Sequence, residues 1–303
     1  MKEQSPKLRI HTESGYLLVR DGLSLTFYLR CAHTRIAQAV TRSLEAYLRA
    51  VGPDALSLYD DGHGEWRGLD DAGWAFVREK LRQPRSCNVC LTDSSPGGLR
   101  YRFDYHGSTL EPLPWEGDGS KKVSVVSFWL PTEYLEEHGP ERVRELTLEL
   151  ATPLPFCSGH AGLSFNGESN PLLSGAEARN LCFRHPGMDV PNPYLKSHLG
   201  TRVKGVHWLN FLGQPVLGEL GGAAGLRTRL HSPDTTVREL DAERTLITLG
   251  LWPEAGDTER GDVLPAYREL ARVLEPWLYR EEPGRAHREV PEQVRHWERR
   301  FLD

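Results

Sequence analysis

Val123-Ser-Val-Val-Ser-Phe-Trp-Leu130 is the stretch whose reading decides the fold class. Its apolar residues fall on both sides of a two-residue alternation, so as a strand it is covered on both faces and belongs near the centre of a sheet. Interrupted by Ser124 and Ser127, this longest apolar run is far short of the roughly 20 residues that span a bilayer. Upstream, Ser24-Leu-Thr-Phe-Tyr-Leu-Arg30 alternates, with Leu25, Phe27 and Leu29 on one face and Ser24, Thr26, Tyr28 and Arg30 on the other. That pattern predicts a half-buried strand.

Each strand opens a similar series. After the first, Ile36, Val40, Leu44, Tyr47, Leu48 and Val51 form one helical stripe that Gly52-Pro53 stops. A short strand at Ala55–Tyr59, a helix at Leu69–Leu81 and a strand at Cys87–Leu91 follow. Leu99 to His106 alternates with Leu99, Tyr101, Phe103 and Tyr105 inward, and the Ser-Ser-Pro-Gly-Gly run at 94–98 predicts a hairpin between these last two strands. After Val123–Leu130, Pro140 opens a helix with Val143, Leu146 and Leu150 on its buried stripe. A strand at Gly159–Phe165 comes next, and Ser174-Gly-Ala-Glu177 has the spacing of a capping box. Val206–Leu212 and Thr245–Trp252 read as strands, Pro215–Leu230 as a short helix between them and Val237–Leu240 as an edge strand. The expected fold is α+β: two similar strand–helix–strand halves, residues 1–110 and 123–303, with mixed or antiparallel sheets covered by helices. A breaker-rich acidic linker at 111–122 joins them, and the halves are expected to close into one compact unit. Helices at Leu264–Glu275 and Pro291–Phe301 end the chain; Val294, Trp297 and Phe301 form a stripe that should dock on the body.

Composition narrows the function. Over 303 residues, 37 Lys and Arg against 42 Asp and Glu give a net charge of −5, which argues against a general nucleic-acid binder. The N-terminus lacks the apolar core of a signal peptide, so the expected compartment is the cytoplasm. Five irregularly spaced cysteines suit a reducing environment. Cys87-Asn-Val-Cys90 lies in a predicted strand, where residues three apart point to opposite faces, so the two thiols should not pair. No second C-x-x-C completes a zinc site, and no metal or cofactor is expected.

Catalytic signatures are weak. Gly218-Glu-Leu-Gly-Gly-Ala-Ala-Gly225 matches no phosphate-binding loop, and close helix packing explains it as well. Gly162-Leu-Ser-Phe-Asn-Gly167 misses a nucleophile elbow by one residue, with Cys157, Ser158 and His160 just upstream. A hydrolase using the Cys157–Ser164 region with His160 as base is the alternative reading. Asp60-Asp-Gly-His-Gly-Glu65 lacks the ligand order of a calcium loop. Charge does stand out between Val51 and Ala72, where Asp54, Asp60, Asp61, Glu65, Asp70 and Asp71 face the single base Arg67. Such a segment is either a solvated face or a surface that steers a basic partner. Trp66, inside it, is of the type that anchors interfaces. The candidate partner-binding residues are Asp60, Asp61, Glu65, Trp66, Asp70 and Asp71.

Four segments carry a family resemblance: Gly22-Leu-Ser-Leu-Thr-Phe-Tyr-Leu-Arg30; Val125-Val-Ser-Phe-Trp-Leu-Pro131 with the Glu141-Arg-Val-Arg-Glu-Leu146 helix; Gly205-Val-His-Trp-Leu-Asn-Phe-Leu-Gly213; and Trp297-Glu-Arg-Arg-Phe301. Together they resemble the type VI secretion immunity family, the TsiV-like proteins. The resemblance implies a cytoplasmic antitoxin that binds a cognate secreted effector, typically a nuclease, and blocks its active site or substrate groove. It implies no catalytic residues, no direct binding of nucleic acid and no membrane contact, and it makes Trp129 and Trp208 fold-defining core. A structural component of the secretion apparatus is a third possibility.

Overall fold

The computed structural model describes residues 5–93, 99–111, 121–167, 170–281 and 291–303. The predicted 94–98 turn and most of the predicted linker therefore lie outside the described residues. In chain order the strands are β1 (Arg9–His11), β2 (Leu17–Leu29), β3 (Leu58–Asp60), β4 (Trp66–Gly68), β5 (Cys87–Thr92), β6 (Arg102–Gly107), β7 (Ser124–Pro131), β8 (Ser158–Gly167), β9 (Leu209–Leu212), β10 (Thr235–Glu239) and β11 (Thr245–Leu249). The helices are α1 (His33–Val51), α2 (Asp71–Leu81), α3 (Thr132–Ala151), α4 (Ala176–Arg184), α5 (Val216–Glu219), α6 (Gly222–Arg227), α7 (Pro265–Leu274) and α8 (Glu292–Arg299).

All named strands join one antiparallel sheet in the order β10-β11-β9-β8-β2-β7-β6-β5-β3-β4, with β1 beside the start of β2. The two halves meet in the β2–β7 ladder, which runs from Gly22↔Pro131 to Leu29↔Ser124. The strand–helix opening of each half is similar, β2–α1 and β7–α3, and α1 packs on α3. Beyond that opening the routes differ. The first half goes out to β3 and β4 and returns through β5 and β6, whereas the second lays β8 and β9 inside β11 and β10.

Helices α1, α2 and α3 cover one face. Their side chains meet Leu23, Leu25 and Phe27 of β2 and Val126 and Phe128 of β7 in a continuous core; the Tyr47 ring of α1 lies tilted 5.1 Å from Phe128, and half-buried Phe76 of α2 lies 5.0 Å from Tyr59. Each such fully buried side chain contributes about 1.5–3 kcal/mol. A second apolar cluster, with Leu212, Ile247, Leu217, Leu226, Tyr267 and Leu270, covers the opposite face over β9 and β11. Strand β2 consequently differs from its half-buried expectation: Ser24, Thr26 and Tyr28 are buried too, because the sheet's centre is sandwiched between layers. Only Arg30, just beyond the strand, is exposed.

Local punctuation follows the residues. The helix expected from Pro140 begins earlier, at Thr132, and is broken at Gly139 (φ 77°), after which Pro140 restarts it. The predicted capping box does not form: Gly175 is the N-cap of α4, and Ser174 Oγ donates to the Asn170 carbonyl at 2.7 Å. Cys87 is buried toward the helices while Cys90 is half-buried on the other face, and all five cysteines are free thiols. Val294, Trp297 and Phe301 are buried, so the C-terminal segment packs on the body. Among the described residues no helix is long and apolar enough to cross a membrane.

Candidate partner-binding site

Strands β3 and β4 form a hairpin at one end of the sheet, with β4 as the outermost strand. The acidic residues between and after them divide into two kinds. Asp61 builds the turn: Oδ1 accepts the N–H of His63 at 2.8 Å, and Oδ2 accepts Arg67 Nε at 2.7 Å. The Arg67 hydrogen bond, helped by these backbone donors, holds the Asp61 carboxyl below its ordinary range. Asp60 Oδ1 accepts the Gly62 N–H at 2.7 Å, and Gly62 and Gly64 supply the left-handed turns (φ 84° and 92°) that a side chain disfavours. Asp70 caps α2 by accepting the Gly73 N–H at 2.9 Å. Glu65 and Asp71, by contrast, are exposed side chains. Of the six candidate residues, then, Asp61 and Asp70 carry local structure, Asp60 is shared, and Glu65, Trp66 and Asp71 present their side chains to solvent.

Trp66 is 42% exposed. It stands on the sheet face opposite α2, where the Arg102 guanidinium lies between two indoles, 6.0 Å from the Trp66 ring and 4.9 Å from the Trp129 ring. Arg102 Nε also donates to Asp104 Oδ2 at 2.6 Å. The hairpin loop was legible in the sequence as an acidic segment. The stack was not, because Arg102 and Trp129 lie 27 residues apart in the chain, on strands that only the sheet order makes neighbours (Arg102↔Trp129).

The residues of the hydrolase reading lie elsewhere, in the second half. Ser158, His160 and Ser164 share one face of β8, a strand buried on both sides, and all three are buried. Ser158 Oγ donates to the Arg202 carbonyl at 3.3 Å, and Ser164 Oγ has no partner among the described residues. Gly162–Gly167 is the last stretch of β8 rather than a turn from strand to helix, and among the described residues no serine or cysteine is hydrogen-bonded to the His160 imidazole.

What His160 does meet is a buried polar cluster that the sequence reading missed. Asp189 receives Lys204 Nζ on both carboxylate oxygens, at 2.6 and 2.7 Å. His160 Nε2 sits 3.2 Å from one of those oxygens and His207 Nε2 3.1 Å from the other, and the two imidazoles stack 3.9 Å apart. Burial opposes charge on Asp189, but the Lys204 ammonium and the two imidazoles outweigh it and hold the carboxyl well below its usual range. Burial, joined by His160, pushes His207 down to about 3, and burial lowers His160 as well. Both rings are therefore neutral at pH 7 and donate N–H groups to the carboxylate. His160, Asp189 and His207 are the one group of metal-type ligands among the described residues. Lys204 already supplies the cation that Asp189 needs, so both Asp189 oxygens are satisfied by an ion pair and two imidazole donors, while His207 Nδ1 is buried with no partner among the described residues. The signal that could have found it is the row of polar residues on the second face of β8: on a strand buried on both sides, each needs a buried partner.

The glycine run at 218–225 is packing rather than phosphate binding. Gly221 and Gly222 turn α5 into α6 with φ of 82° and 69°, and a Cβ on Gly225 would sit 2.1 Å from the Leu220 carbonyl.

The fold is shared with a solved structure, a Pseudomonas aeruginosa T6SS protein, PA0821, at TM-score 0.77 and 22% identity over 97% of this chain and 87% of that one. A comparison with curated proteins finds no match. The family model described as type VI immunity for VRR-NUC matches residues 39–301. The chain belongs to this family, TsiV.

Proposed function

We propose that the chain is an immunity protein that binds a VRR-NUC nuclease toxin one to one and blocks its active site or nucleic-acid groove. Membership of a family described as type VI immunity for VRR-NUC carries the reading. The acidic hairpin supports it physically. A nuclease must hold a polyanion on a basic surface, and exposed carboxylates such as Glu65 and Asp71 meet that surface with complementary charge. Long-range attraction then raises the association rate more than the final affinity.

The test uses the purified chain and the VRR-NUC domain of the effector from the same genome. Equimolar chain should stop degradation of DNA by the active domain, and light scattering should show a one-to-one complex. No complex at micromolar concentrations, with DNA degradation unchanged, would overturn the proposal. Replacing Glu65 by Gln and Asp71 by Asn together, which spares the turn-building Asp61 and the capping Asp70, should slow association and flatten its salt dependence. Unchanged association kinetics would take the hairpin out of the interface.

A further inference from the structure

The two ends of the sheet are built differently. At one end, β10 turns the Val237 carbonyl outward, and Arg227 of α6 caps it with Nε and a terminal nitrogen at 3.3 and 3.1 Å while pairing with Glu239 at 3.0 Å. That carbonyl of the edge is already taken by a side chain. At the other end, β4 pairs only with β3 among the described residues. The bonds from Asp61 N–H to Glu65 and from Leu69 N–H to Ser57 fix the alternation of this ladder. With Asp60↔Trp66 and Leu58↔Gly68 as the residues between the bonded pairs, the N–H and C=O of Trp66 and the N–H of Gly68 point away from β3. Trp66, Arg67 and Gly68 are all exposed.

From this asymmetry we infer that β4 is a docking edge, on which an extended, Lys- or Arg-bearing segment of the toxin adds as a further strand of the sheet. The inference rests on the nuclease-binding reading above and names the contact. Charge selects the occupant. Asp60 and Glu65 belong to the hairpin itself and Asp71 opens α2 just after it, with Arg67 already held by Asp61. Two copies of this chain joined edge to edge would set these carboxylates against one another, whereas a basic strand would be drawn in. A partner strand would take the outward backbone groups for register and bring its side chains against the exposed Trp66 indole, which Arg102 backs.

Gly68 allows a test aimed at the backbone. Its N–H takes no part in the β3 ladder, and a Cβ added there meets nothing within 4 Å. Gly68→Pro deletes the outward donor and Gly68→Ala retains it. Binding to the inactivated VRR-NUC domain should weaken at least about tenfold for Gly68→Pro and stay within about twofold for Gly68→Ala. Hydrogen exchange on the unmodified protein reads the same contact without a variant: the Trp66 and Gly68 amides should become protected in the complex. Unprotected amides with equal binding by both variants would overturn the docking edge while leaving the nuclease-binding reading intact. Failure of the unmodified chain to bind the nuclease domain would overturn both. A dimer of the chain alone that Gly68→Pro abolishes would overturn the inference by making a second copy the occupant.

Discussion

The stacked imidazoles on Asp189 make a quantitative prediction about acid. An unfolded histidine titrates near 6.5, whereas His207 in the fold is pushed down to about 3, first by burial and then by the neighbouring His160. Below pH 6.5 the unfolded chain therefore binds a proton that the folded chain refuses, so this stabilisation is present above the unfolded value and is lost as pH falls. Between pH 7 and pH 5, linkage gives a loss of about 2 kcal/mol from His207 alone. His160 moves in the same direction. The Lys204 charge opposes a proton on either ring, and the Arg300 charge opposes one on His160. Glu298, pushed up to about 7 by burial, works the other way: it takes a proton in the fold before it does in the unfolded chain, and so favours the fold as pH drops through that range. The raw pH dependence therefore mixes signs, and the informative quantity is a difference between variants. His207→Gln keeps a hydrogen-bond donor but cannot take up a proton. Urea unfolding followed by tryptophan fluorescence at pH 7 and pH 5 should show the unmodified protein losing about 2 kcal/mol more than the variant over that interval. Equal losses would refute the placement of His207 as a buried neutral donor to Asp189.

Other outcomes follow from single contacts. Gly22→Ala should cost about 1–3 kcal/mol, because the new Cβ would lie 2.8 Å from the Leu130 carbonyl of the central ladder and 2.2 Å from Asn166 Nδ2; an unchanged urea midpoint would contradict it. Asp70→Ala should cost about 1 kcal/mol by uncapping α2, more than Asp71→Ala, which loses only a first-turn charge; the reverse order in thermal melts would show that Asp70 is not the cap. Trp297→Ala should cost about 3 kcal/mol and release the C-terminal helix to limited proteolysis, since the indole is buried and the Arg300 guanidinium lies 4.2 Å over it; a resistant tail would mean that α8 is held by other contacts.

Local periodicity was enough to find the strands and helices that make the core. Leu25, Phe27 and Leu29 alternate because one face of β2 meets α1 and α3, and Val143, Leu146 and Leu150 recur at helical spacing because α3 lies on the sheet. Periodicity failed where a second layer intervened. Ser24 and Thr26 are buried although they alternate with apolar residues; Ser24 Oγ is 3.1 Å from Thr26 Oγ1, which is 2.8 Å from Ser127 Oγ. These hydroxyls satisfy one another across β2 and β7, a solution that a single strand's sequence does not display. The histidine cluster escaped for a related reason. Its four members come from β8, two loops and a position two residues before β9, so no spacing along the chain links them.

Charge composition located the acidic hairpin but could not rank its carboxylates. Asp60 and Asp61 are adjacent and of one residue type, yet one accepts a turn amide at 2.7 Å while the other holds both the turn and Arg67. Which carboxylate remains for a partner depends on turn geometry, and which strand edge lies beside it depends on strand order. Both arise from the route the chain takes. By going out to β3 and β4 before returning through β5 and β6, the first half leaves a three-residue strand outermost, beside its own acidic turn. The second half ends its sheet at β10, under Arg227 of α6. On the docking-edge proposal, a short exposed edge flanked by carboxylates would resist pairing with its own copies and admit a basic strand, so discrimination between self and partner would lie in the pairing of an ordinary backbone edge with the charges around it.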